Sequence, residues 1–66
     1  MNDDMIRQYV EDIIDLAESV KSEPESDLRN GKLLAYNEVL SVLKTDLTPV
    51  GAESYGLGFD IDKRFA

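Results

Sequence analysis

The sequence has no cysteine, no histidine and no tryptophan. Without cysteine there is neither a disulfide to staple a small fold nor a thiolate metal site, and without histidine the commonest metal ligand and general base is missing. No apolar run approaches the ~20 residues of a membrane span, and the N-terminal residues lack the basic, apolar and small-residue zones of a signal peptide. A cytoplasmic protein is the expectation, with no membrane contact. Basic charge is scarce too. Seven Lys and Arg stand against fourteen Asp and Glu, a net charge of −7. Direct binding to nucleic-acid phosphates needs clustered Lys and Arg and is not expected.

What is present is unevenly placed. Residues 1–27 hold nine acids against Arg7 and Lys21, whereas residues 28–66 hold five acids and five bases. The whole imbalance therefore sits on the first part of the chain, where it suits solubility or a basic partner. Sixty-six residues make one small domain. A chain of this size buries only ~60% of its unfolded surface, so its own core is marginal and oligomerisation is a common remedy.

The spacing of apolar residues predicts a helix over 3–21. At 100° per residue, Ile6, Tyr9, Val10, Ile13, Ala17 and Val20 share one half of the circumference with Met5, Ile14 and Leu16, and Glu11, Asp12, Asp15 and Glu18 lie on the other half. Asp3 and Asp4 suit the positive end of the helix dipole and Lys21 the negative end. A short turn, "KSEPES", follows. Ser22 and Glu25 have capping-box spacing with Pro24 in the first turn, which predicts a second helix over 24–46 running antiparallel to the first. The alternative is a start after Gly31. Leu33, Tyr36, Leu40, Leu43 and Leu47 form a heptad-like seam on this helix, and Leu28, Ala35, Val39 and Val42 form a second stripe beside it. Gly31 and Ala35 stand four apart at the edge of that stripe, either as a place of close helix approach or as a tolerated Gly.

Residues 48–66 form a third segment, an arm beyond the hairpin of residues 1–47. Pro49 and Gly51 end the second helix. Tyr55, Leu57, Phe59 and Ile61 then alternate with Gly56, Gly58, Asp60 and Asp62, the period of an extended strand, with Phe65 beyond. An isolated strand is not stable in water. The arm is expected to lie on the hairpin, pair with another chain, dock onto a partner, or remain a disordered tail.

Two helices packed only on each other need apolar stripes of roughly 100° each. Both helices here offer nearly twice that. The surplus calls for a cover, and a homodimer making a four-helix bundle is the first expectation, through Ile6, Tyr9, Val10, Ile13, Ala17 and Val20 against Leu33, Tyr36, Val39, Leu40 and Leu43. Burial by the arm and a groove for another protein's helix are the others.

Catalytic chemistry finds little footing. Glu11, Asp12, Asp15 and Glu18 have a spacing seen in carboxylate metal sites, but they lie opposite the apolar stripe and read as a solvated acidic face. Asp60 and Asp62 fall short of a calcium loop's ligand count. No nucleophile–base pair or phosphate-cradling glycine loop is present, so no cofactor is expected and an enzyme is not expected. The first functional expectation is a non-enzymatic interaction or regulatory module acting through its apolar face or its arm, with an apolar or basic protein surface as partner. One rival is an acidic mimic of nucleic acid that occupies a basic site. A metal enzyme built on carboxylates is the other.

The stretch "GKLLAYNEVLSVLK", residues 31–44, resembles a phrase in small uncharacterised helical proteins of phages and other mobile elements of Gram-positive bacteria. That resemblance implies an accessory protein and brings no catalytic residue with it.

Overall fold

A computed structural model describes residues 3–65. Helix α1 spans Asp3–Lys21 and helix α2 spans Asp27–Leu47. The two pack antiparallel as a hairpin, and all regular structure among the described residues is helical. The chain reverses between Lys21 and Asp27. The second helix starts later than the Ser22–Glu25 spacing predicts and earlier than Gly31. Its cap is Ser26, extended at φ −160°, whose hydroxyl accepts from the Arg29 backbone N–H at 3.1 Å. Pro24 biases Glu23 toward extended backbone, which keeps this stretch out of the helix. Ser22 instead closes α1, its hydroxyl donating to the Ser19 carbonyl at 2.8 Å. An ion pair from Lys32 to Glu23 at 3.0 Å fastens the turn.

Beyond Leu47 the chain does not extend. It coils through two short 3-10 turns, Thr48–Val50 and Ala52–Tyr55, and ends in a third helix, α3, at Ile61–Phe65. The expected extended arm is thus corrected to a chain of tight turns. Gly51 and Gly56, at φ 92° and 90°, take the left-handed backbone that re-aims the chain between turns. Such reversals leave no run long enough to pair as a strand. Asp60 then starts α3, its carboxylate accepting from the Lys63 N–H at 3.3 Å.

The arm completes the core. Val10, Ala17 and Val20 of α1 and Leu33 and Leu40 of α2 are buried against Ala52, Tyr55, Leu57, Ile61 and Phe65. Among the described residues, half of the ten buried apolar ones therefore come from beyond α2. Burying a side chain of this size contributes ~1.5–3 kcal/mol, so the arm has the weight of a third layer. Phe59 and Phe65 meet edge to face at 6.1 Å between ring centroids.

Polar groups fasten this layer. Asn37 is only 8% exposed, and its amide donates to Asp62 Oδ1 at 3.2 Å. Lys44 Nζ donates to the Phe59 carbonyl at 2.7 Å. Both residues sit among polar positions on the helical wheel, where solvent is the expected neighbour, but α3 and the loop before it cover them. From α1, Arg64 receives the Glu18 carboxylate at 2.6 Å, Lys21 Nζ donates to the Arg64 carbonyl, and Arg7 Nε donates to the Ser54 carbonyl at 3.0 Å. Tyr55 donates its hydroxyl to Asp3 Oδ1 at 2.9 Å. That hydrogen bond to a carboxylate, with burial and the adjacent negative charge, raises the Tyr55 pKa above its usual value despite the opposing charge of Arg7.

Candidate functional site

The arm lies along one side of the hairpin, and the other side is open. Between α1 and α2 on that open side runs a groove of about 600 Å³, lined by Ile6, Tyr9, Val10, Ile13, Glu38, Val39, Val42 and Leu43. No residue of the arm reaches it. Helix periodicity produces it directly. On α1, Ile6, Tyr9 and Ile13 step by three and four, and on α2, Val42 and Leu43 follow Val39 by three and four. Ile6, Ile13 and Leu43 are half-buried at the floor, whereas Tyr9, Val39 and Val42 are 59%, 45% and 59% exposed along the walls.

The apolar strip runs beyond the groove. Leu16 on α1 is exposed, as are Leu28, Gly31 and Ala35 on α2. Leu28, Ala35, Val39 and Val42 make up the second stripe of α2, and all four lie exposed on this open side. A Cβ added at Gly31 would meet nothing within 4 Å, so no neighbour within the chain requires a glycine there.

The eleven apolar positions expected at an interface between copies divide by depth. Val10, Ala17, Val20, Leu33 and Leu40 are buried within the single chain, Ile6, Ile13, Tyr36 and Leu43 pack half-buried around that core, and Tyr9 and Val39 remain out on the open face. The arm residues Tyr55, Leu57, Ile61 and Phe65 are buried and Phe59 is half-buried. Their alternation along the sequence does mark the inward-facing side chains, although the backbone carrying them is coiled.

The acidic residues expected to form a solvated face on α1 make different local contacts. Glu18 holds Arg64, Asp12 accepts from the Gln8 amide at 2.8 Å, and Glu11 flanks a smaller cleft with Arg7 and Tyr55. Asp15 is exposed. Among the described residues no group of three or more acidic side chains converges as a metal cage would require, and no helix is long and apolar enough to cross a membrane. A second cleft, between α2 and α3, is lined by Glu25, Arg29, Asn37 and Asp62. Its charges are mixed, and Asn37 and Asp62 satisfy each other across it.

No protein-family model matches the chain, no curated protein matches its sequence and no solved structure matches its fold. The chemistry of the groove is what its own residues define: an apolar trough with one carboxylate in its lining and no base.

Proposed function

We propose that this protein is a non-enzymatic interaction module whose docking surface is the groove between α1 and α2, taking an amphipathic helix. One observation carries the reading: the apolar lining of Ile6, Tyr9, Ile13, Val39 and Val42 stays open although the chain has a third layer of its own. An exposed apolar patch on a small protein is a common mark of a binding surface. Two parallel walls with residues at helical spacing suit a third helix laid between them, with its anchors at every third or fourth position. The arm is not the cover of this groove, because its own apolar side chains are occupied on the other side. The alternative of a nucleic-acid mimic has less support, since Glu18 is engaged in holding α3.

The test is a titration of the labelled protein with an amphipathic helical peptide, followed by nuclear magnetic resonance. Signals of Tyr9, Val39 and Val42 should shift, and those of Leu57 and Phe65 should stay. Shifts centred on the arm, or none at all, would remove the proposal. Concentration-dependent changes in the groove signals without peptide would make a second copy of the chain the occupant.

A further inference from the structure

Resting on the reading of the groove as a helix-docking site, we infer that its occupant is an amphipathic helix from another protein, with lysine or arginine flanking its apolar ridge. The placement of charge carries this. Six of the seven basic side chains are bonded to partners within the chain, and none lines the groove. Arg7 bonds Asp4 and Ser54, Lys21 bonds the Arg64 carbonyl, and Arg29 bonds the Lys21 carbonyl. Lys32 is paired with Glu23, Lys44 with the Phe59 carbonyl, and Arg64 with Glu18. The seventh, Lys63, is exposed on α3, in the arm.

Acids border the groove, and Lys32, which stands on the strip between Leu28 and Ala35, is taken up by Glu23. Glu38 lines the groove, and Asp46 stands beside Val42 at its end. Asp12 comes three residues after Tyr9 and four before Leu16, which places it along the α1 edge. All three are exposed, and none is in an ion pair among the described residues. A two-fold dimer through this face would bring the carboxylates of both copies together while Lys32 is already paired with Glu23, an arrangement that opposes association. Flanking lysines or arginines on a partner helix would meet these acids instead, and the net charge of −7 would hasten their approach.

The strip also sets the length of the partner. Leu28 and Val42 are fourteen residues apart on α2, about 21 Å along the axis, so an occupant of about four turns spans it. Gly31 and Ala35 keep the middle of the strip low, so the occupant's backbone can come close there.

The test uses the full chain and two synthetic helical peptides about four turns long. Both carry the same leucine ridge, flanked by lysine in one and by glutamate in the other, and binding is read by fluorescence anisotropy. The lysine peptide should bind at least about tenfold more tightly. Salt should narrow that preference, and so should the combined variant Asp12→Asn, Glu38→Gln, Asp46→Asn. Val42→Asp, a change at an exposed position, should weaken both peptides while the thermal melt stays in place; Val39→Asp serves as the independent second variant.

Equal binding of the two peptides would overturn the basic partner and leave the groove reading standing. A lysine preference that survives in the combined variant would also overturn it, by assigning the selectivity to other charges. Failure of both peptides to bind the folded chain would remove the groove reading as well. If light scattering finds a dimer that Val42→Asp dissociates, the occupant is a second copy and the basic helix is wrong.

Discussion

The two sides of the helical hairpin are built from the same kinds of residue and meet different fates. On one side Val10, Ala17, Leu33 and Leu40 are sealed by the arm, which adds Leu57, Ile61 and Phe65 and a set of hydrogen bonds from Arg7, Lys21, Asn37 and Lys44. On the other side Tyr9, Val39 and Val42 stand open, with acids at the edge and no base beside them. A helix pair offers two grooves, and a single arm can fill one. Arg7, Lys21, Lys44 and Arg64 follow the filled side because the arm's backbone carbonyls and Glu18 take donors there. The open side is left both apolar and acidic. The sealed core and the open apolar strip thereby lie on opposite faces of one small molecule.

The largest effect that tests this division is expected on the sealed side. Phe65→Ala removes a fully buried ring against α1 and α2 and should cost about 3–5 kcal/mol, enough to unfold most of so small a chain in a denaturant titration. A loss below ~1 kcal/mol would mean that the arm does not contribute to the core. Next comes Gly58→Ala. A Cβ at position 58 would come within 2.9 Å of Glu53 Cβ, so the loop leading to α3 must shift. A loss of about 1–3 kcal/mol is expected by the same measurement.

On the open side the signs change. Gly31→Ala places a methyl in empty space within a helix and should stabilise by up to ~1 kcal/mol, seen as a higher melting temperature. If it melted lower, Gly31 would be in contact with something, and a close-packed second copy would be the first suspect. Val42→Ala, at an exposed wall, should change stability by no more than about 0.5 kcal/mol. The fifth comparison is a pH titration. The Tyr55 pKa is raised in the folded state, chiefly by its hydrogen bond to Asp3, so the neutral phenol favours the fold. This contribution is complete below the unfolded value near ~10 and is lost as pH rises through the raised folded value. The melting temperature of the parent should therefore fall more steeply above pH ~10 than that of Tyr55→Phe. Parallel curves would mean the bond to Asp3 is not formed in solution.

How much of this was readable in advance differs along the chain. The first helix, the end of the second and the two apolar stripes are local matters. Three-and-four spacing of Ile6, Tyr9, Val10, Ile13 and Ala17 needs only the helix repeat to define a face, and Asp3, Lys21 and Pro49 mark ends for reasons within one turn. The start of α2 falls three residues beyond the one the sequence predicts because Ser22 and Ser26 offer the same capping chemistry. The choice between them depends on where the chain must reverse. Asn37 and Lys44 gave no local signal of burial: each is polar among polar neighbours, and only α3, twenty-five residues along from Asn37 at Asp62, makes it a buried donor.

Residue pattern and helix geometry are thus sufficient for two amphipathic helices, their antiparallel pairing and an acidic skew toward the first of them. They are also sufficient to say that both helices have more apolar surface than one contact can cover. Which half of that surplus the arm takes, and so which face remains open, follows from contacts between residues forty or more apart, such as Arg64 with Glu18 and Tyr55 with Asp3. A period of two or of 3.6 says which way a side chain points from its own backbone. It carries no information on which of two equivalent grooves a returning chain will enter, because that choice is made by the summed packing and hydrogen bonding of the whole assembled core.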